Sequence, residues 1–167
     1  PLIAASCSDT IHDLVNREDA AQIKRLLQKD PALVNDRTDA GKTPLHYAVT
    51  YAKPEFIDLF VANGADINAP DNTGLTPLHA AAMLGREEEA ARLLSHGAKI
   101  EARDLFGDTP FHIAALFGQC GMMRLLANAG ADVNAANDDA VTPLDAAMKS
   151  RRKEAVEMLE KIEEEND

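Results

Sequence analysis

The chain of 167 residues is poor in several residue types, and each shortage excludes some classes of structure. It has no tryptophan and 4% aromatic residues against 46% hydrophobic ones, so Ala and Leu must fill thin interfaces between helices. It has no run of eighteen apolar residues, so no membrane span is expected. Its two cysteines, Cys7 and Cys120, lie far apart, and we expect no disulfide between them.

Motifs of catalysis are also absent from the sequence. It contains no nucleophile elbow, phosphate-binding loop, HExxH zinc motif or paired-cysteine metal motif. The sequence therefore predicts a protein that is not an enzyme and has no cofactor and no metal site.

What the sequence does contain is a strict internal repeat of 33 residues. A Thr-Pro-Leu-His tetrad, with single-residue variants, begins at Thr43, Thr76, Thr109 and Thr142. A second pattern, Gly-Ala-x-Ile/Val-x, begins at Gly64, Gly97 and Gly130 and keeps the same interval. A period of this length indicates a solenoid of stacked supersecondary units.

One unit predicts two short helices. Thr76 is a good N-cap, Pro77 suits the first helical position, and Gly85 offers a left-handed stop after about two turns. A second helix is predicted from Arg86 to His96, with Gly97 ending it. The Asp-x-x-Gly stretch before each Thr-Pro supplies turn residues for a projecting β-hairpin.

The tetrad Thr-Pro-Leu-His-x-Ala at this period resembles the ankyrin repeat family over nearly the whole chain. The resemblance implies an α-dominated solenoid of helix-turn-helix units, each with a projecting β-hairpin, which binds proteins on its concave face. In that family the recurring histidine, here His46, His79 and His112, is a structural residue that ties a hairpin to a helix. A shared metal site is excluded, because equivalent positions in stacked units lie about 10 Å apart, much farther than one zinc ion can bridge.

The repeat divides the chain into one domain of five units, preceded by a short apolar segment. The units span residues 10–42, 43–75, 76–108, 109–141 and 142–167, with the first and last acting as polar caps. Residues 1–9 are either an apolar strap packed on the first unit or the remnant of an export signal. The compartment is accordingly cytoplasmic by default, or the bacterial periplasm if residues 1–7 are such a remnant.

Three departures from the pattern affect the turns. Pro31 stands where later units have the helix-ending glycine, and Ala52-Lys53-Pro54 replaces the glycine that precedes the second helix. Gly121 lies inside a predicted helix, which costs about 1 kcal/mol relative to alanine.

Contact residues in this family occupy positions that the shared pattern leaves free, on the hairpins and at the ends of the first helices. Several of these positions are apolar here, and a contiguous exposed apolar patch marks a binding site; the alternative is that some of them pack against neighbouring helices. The predicted partner-binding residues are Tyr51, Asn72, Leu75, Met83, Leu84, Leu105, Phe106, Asp108, Leu116, Phe117, Asp138 and Asp139.

The net charge of −11 disfavours nucleic acid and favours a protein partner with a basic surface. We therefore expect a monomeric binding module that acts as a stoichiometric inhibitor, immunity protein or regulator of a basic enzyme, such as a nuclease or a cell-wall hydrolase. The alternative function is that of an adaptor or scaffold subunit. A structural part of a larger chain, and a small-molecule-binding or enzymatic protein, are more distant alternatives.

Overall fold

The computed structural model describes residues 10–166, so the predicted apolar segment at residues 1–9, with Cys7, lies outside the described residues. Within this range, helices follow one another in pairs. Their bounds are α1 Ile11–Asn16, α2 Ala20–Lys29, α3 Pro44–Thr50, α4 Pro54–Ala62, α5 Pro77–Leu84, α6 Glu87–Ser95, α7 Pro110–Phe117, α8 Cys120–Asn128, α9 Pro143–Lys149 and α10 Lys153–Asn166.

The helices form two layers. The first helix of each pair packs on the first helix of the next, so α1, α3, α5, α7 and α9 make one layer, and α4, α6, α8 and α10 stack in the other. Apolar side chains between the layers form one continuous core, to which Leu45, Leu78 and Phe111 contribute from the first helices. Each pair buries its apolar face on its neighbours, as in a solenoid.

Each Thr-Pro pair begins a first helix as the sequence predicts. Thr76 has extended backbone angles at the N-cap, Pro77 takes the first helical position, and Gly85 ends the helix with a φ of 65°. The Thr76 N–H donates to Nδ1 of His79 at 3.1 Å. Because Nδ1 accepts, the proton of the neutral ring lies on Nε2, which donates to the carbonyl oxygen of Asp108 in the next hairpin at 3.0 Å.

His46 and His112 make the same pair of contacts. Their Nε2 atoms reach the carbonyl oxygens of Leu75 and Val141 at 2.9 and 3.1 Å. The prediction that this histidine ties a hairpin to a helix is therefore confirmed, and the hairpin is the one that precedes the next first helix.

The projecting hairpins are tighter than the expected β-hairpins. Each is closed by two backbone bonds, such as Asp71 N–H to Leu75 O at 2.9 Å and Gly74 N–H to Asp71 O at 3.0 Å. Successive tips are joined by one more, such as Leu105 N–H to Thr73 O at 3.3 Å. No β-strand is formed anywhere in residues 10–166.

The departures from the repeat pattern change the turns without breaking the stack. Pro31 begins a 3₁₀-helix, Pro31–Asn35, in place of a glycine turn. Ala52, Arg151 and Ala140 occupy left-handed positions with φ of 53°, 56° and 57°, where internal units have glycine. At Gly121 an added Cβ would lie 1.8 Å from Oε1 of Glu87, so the glycine admits that side chain to the α8 backbone.

We predict that Ala140→Gly stabilises the protein. The left-handed conformation costs alanine about 1–2 kcal/mol of strain in the folded state. Glycine removes this strain, but it also raises the conformational entropy of the unfolded chain, which offsets part of the stabilisation. A net gain of about 0.5–1 kcal/mol in the free energy of unfolding should appear in urea denaturation. Ala91→Gly is the matched control, because Ala91 is exposed on α6 and the change should cost about 1 kcal/mol. Equal effects of the two substitutions would contradict the strain argument.

We predict that stability falls as the pH falls below neutrality. Burial lowers the pKa of His46 and of His79, against weaker opposing contacts with the carbonyl oxygens of Leu75 and Asp108. The histidines of the unfolded chain therefore bind protons more readily, with a pKa near 6.5. The contribution of the neutral rings to the free energy of unfolding is complete above that pH, and it is lost as the pH falls toward the lowered pKa values of the folded state.

Urea denaturation from pH 8 to pH 5.5 measures this loss. His79→Asn is the comparison, because an amide oxygen can still accept from the Thr76 N–H but does not titrate in this range. The variant should be less stable at pH 8 and depend less steeply on pH. An unchanged slope would show that these rings do not carry the effect.

Candidate partner-binding surface

Three of the predicted contact residues lie at the end of successive first helices. Tyr51, Leu84 and Phe117 follow or end α3, α5 and α7, and they are 37, 38 and 40% exposed. Because those helices stack directly, the three side chains lie in one row, which we call the turn row. The Tyr51 ring also packs on Tyr47, with ring centroids 5.9 Å apart.

The neighbours of the turn row are partly packed. Met83 and Leu116 are half-buried. The Met83 carbonyl oxygen accepts from Nε2 of Gln119 at 3.2 Å, and the Leu116 carbonyl oxygen accepts from Nε of Arg152 at 3.2 Å. Each turn is thus held by a side chain of the next unit, which fixes the backbone beneath the exposed row.

The most exposed apolar side chains lie on one hairpin tip. Leu105 and Phe106 are 69 and 66% exposed. Their backbone is nevertheless held by hydrogen bonds: Oδ1 of Asp104 accepts the Phe106 N–H at 2.8 Å, and the Phe106 carbonyl oxygen accepts from the Asp138 N–H at 3.1 Å. A rigid tip therefore holds two apolar side chains in solvent.

The apolar contact positions form two groups rather than the single contiguous patch expected from the sequence. The hairpin tip precedes α7, and Phe117 ends that helix. A helix of this length spans about 12 Å at 1.5 Å per residue. A partner that contacts both groups must therefore lie across the first helices, on a face that we call the binding face.

Some of the polar candidate residues are hydrogen-bonded to a neighbouring hairpin, and others are exposed to solvent. Asn72 donates from Nδ2 to the Asp39 carbonyl oxygen at 2.8 Å, and Oδ1 of Asp108 accepts from Nδ2 of Asn137 at 2.7 Å. Both therefore join neighbouring hairpins. Asp138 and Asp139 are exposed, whereas Leu75 is half-buried against the core.

The hairpin aspartates that precede the tips have an internal role. Burial acts to raise the pKa of Asp71, but hydrogen bonds from Thr73 and Leu75 outweigh it and hold the pKa below its ordinary value. Asp71 thus remains a carboxylate that shapes its turn through backbone donors.

The outer face of the second helices carries an ion-pair cluster. Arg92 contacts Asp58 and Glu88, and Nε2 of His96 lies 2.8 Å from Oδ1 of Asp58. The hydrogen bond from His96, with Arg92 nearby, lowers the pKa of Asp58. Glu89 departs from the solvated face expected for its helix, because it is 4% exposed at the position of Phe56 and Met122.

Sequence reasoning missed two features. Met148 is 56% exposed, although its equivalents Val49, Ala82 and Ala115 are buried beneath a following unit. His12 is 5% exposed at the position of Leu45, with its ring 4.9 Å from that of Tyr47. Burial lowers the pKa of His12, against the weaker influence of Asp36. Aligning the units by their 33-residue period could have revealed both features, because it places Met148 and His12 at positions that are buried and apolar in other units.

No metal site and no membrane-crossing helix is visible in the part of the chain that the structure describes. Among residues 10–166, no three His, Cys, Asp or Glu side chains are grouped to hold a metal ion. Within the same residues, every helix is too short or too polar to cross a bilayer.

Stacked helix pairs whose hairpins project from one edge define a repeat solenoid, a class that binds partners through its extended surface. A family model for ankyrin repeats, in three copies, matches residues 11–104 and 102–166. The chain therefore belongs to the ankyrin repeat family, whose repeats are protein-interaction modules and are generally non-catalytic.

One curated relative shares a short part of this sequence. The serine/threonine-protein kinase VIK of Arabidopsis thaliana is 38% identical over 56 residues, which is 34% of this chain and 13% of the kinase. The chain thus spans only a small part of that protein's length, and the similarity concerns a short segment.

Proposed function

We propose that this protein binds another protein on its binding face and acts as a monomeric stoichiometric inhibitor or immunity protein of a basic enzyme, such as a nuclease or a cell-wall hydrolase. The observation that carries the proposal is the exposure of Leu105 and Phe106 on a tip whose backbone is held by hydrogen bonds to Asp104 and Asp138. The proposed role involves no catalysis.

Apolar contact supplies the affinity in this proposal. Burying a Leu or Phe side chain completely contributes about 1.5–3 kcal/mol, and aromatic anchors are enriched at interface centres. Leu105, Phe106 and Phe117 together can therefore form the centre of an interface. Because the tip and the turns are already fixed by neighbouring units, little backbone ordering opposes binding.

Charge supports a basic partner. The protein has a net charge of −11, and Asp39, Asp138 and Asp139 are exposed on hairpin tips beside the apolar group. A partner with a basic surface would be drawn to this edge, at a rate that falls as salt is added. On the outer face, Arg92 already pairs with Asp58 and Glu88. A module with one such face acts by occupying its target, which favours an inhibitor over an adaptor.

We predict that Phe106→Asp/Phe117→Asp abolishes partner capture. The native chain and the double variant, both shown to be folded by circular dichroism, are used for affinity capture from a lysate of the source organism, followed by mass spectrometry. The native chain should retain one protein that the variant loses, because two desolvated carboxylates would replace the apolar anchors. An activity assay on the captured protein then distinguishes inhibitor from adaptor.

The control is Ala62→Asp/Ala91→Asp, which adds the same charge at exposed positions on α4 and α6. It should retain the partner. If the partner is kept by the Phe106/Phe117 variant, the site lies elsewhere and these side chains serve packing alone.

A further inference from the structure

A cluster of positive charge interrupts this acidic protein at the start of its last helix. Arg151, Arg152 and Lys153 are consecutive, and Lys149 lies two residues earlier. Arg151, Arg152 and Lys153, which we call the basic corner, are all exposed. They surround the N-terminus of the 14-residue helix α10, where the helix dipole also favours an anion.

Some of the cations elsewhere on the stack already have partners. Lys53 pairs with Glu18, Arg92 pairs with Asp58 and Glu88, and Arg103 donates to two carbonyl oxygens. Within residues 10–166, Arg151 and Lys153 make no ion pair and no side-chain hydrogen bond. Their charges are therefore available to a ligand.

The basic corner is a shaped site next to the turn row. An open groove of about 360 Å³ is lined by Phe117, Gly118, the three cations, Glu154 and Ala155. The side chain of Arg152 lies across the turn, because a Cβ on Gly118 would be 3.0 Å from its Cδ, and its Nε donates to the Leu116 carbonyl oxygen. Arg152 is thus held in place while its terminal nitrogens remain available.

The backbone at Arg151 supports a role beyond folding. It has a φ of 56°, at a position where the two preceding units have Gly85 and Gly118. A glycine would remove the strain of the left-handed conformation, so arginine brings the fold no local benefit here. Strain of this kind is frequently associated with functional positions.

We propose that the basic corner binds an acidic segment of the protein partner, with carboxylates on Arg151, Arg152 and Lys153 and an apolar side chain on Phe117. This assignment rests on the proposed function, since Phe117 belongs to the turn row. Binding at the basic corner would also fix the orientation of the partner. Its basic surface faces the acidic hairpin tips, and its acidic segment lies at the start of α10. A nucleic acid is disfavoured because the molecule as a whole, at a net charge of −11, repels a polyanion.

The test is an NMR titration of the ¹⁵N-labelled full chain with the peptide acetyl-Leu-Phe-Glu-Glu-Asp-amide. Its neutral counterpart, acetyl-Leu-Phe-Gln-Gln-Asn-amide, and a ten-residue oligothymidylate are titrated separately. The acidic peptide should shift the amide signals of Phe117 and residues 151–153 and bind about tenfold more tightly than the neutral one, through charge-assisted contacts.

Two double variants of equal charge change locate the effect. Arg151→Asn/Lys153→Gln should weaken peptide binding about tenfold, and asparagine tolerates the left-handed backbone at position 151. Arg124→Gln/Lys161→Gln, at exposed sites on α8 and α10, should change the affinity less than about twofold, because exposed charges at a distance are screened by salt.

Three results would overturn the proposal. Equal affinity for the acidic and neutral peptides would remove the role of charge, and equal loss in both double variants would show only long-range attraction. Shifts at residues 151–153 with the oligonucleotide but not the acidic peptide would assign the corner to nucleic acid. The titration needs neither Phe106 nor the natural partner, so its failure is separate from failure of the capture experiment.

Discussion

The architecture depends on a bridge of hydrogen bonds through one buried ring per internal unit. Nδ1 of His79 accepts from the cap of its own helix, and Nε2 donates to a backbone carbonyl oxygen in the next hairpin. Both partners are backbone atoms: the N–H of Thr76 lies three residues before His79, and the carbonyl oxygen of Asp108 lies 29 residues after it. The bridge therefore sets the position of a whole hairpin relative to the preceding helix. His46 and His112 repeat it, which keeps the stack in one register.

This register is what makes the binding face rigid. The carbonyl oxygens of Met83 and Leu116 are bound by side chains of the following unit, and each hairpin tip is joined to the next by a backbone bond. These bonds fix the backbone beneath Phe106 and Phe117. Little backbone conformational entropy therefore remains to be lost when a partner covers these two side chains.

The sequence predicts what repeats and misses what depends on a particular neighbour. Thr76-Pro77 and Gly85 fixed the ends of α5 correctly, because caps and stops are local chemistry. The burial of Glu89 and the exposure of Met148 depend on which side chains lie beside them in the described stack, and the repeat pattern does not specify those neighbours. The separation of the apolar positions into a tip and a turn row likewise follows from the length of the first helix. Whether these residues contact a partner stays a prediction.

The two end units are attached differently, and the difference bears on function. Both carry an aspartate where the bridging histidine would stand, and Asp13 and Asp145 cap their helices through Thr10 and Thr142. The first unit thereby lacks the bridge to its successor and relies on contacts such as Lys53 with Glu18 and His12 with Tyr47. By contrast, the hairpin before α9 receives the bridge from His112 and is joined to the preceding tip through Asp138, and Arg152 of the last unit binds the Leu116 carbonyl oxygen. Local unfolding should therefore begin at the N-terminal end, which leaves the tip, the turn row and the basic corner on the more firmly coupled part of the stack.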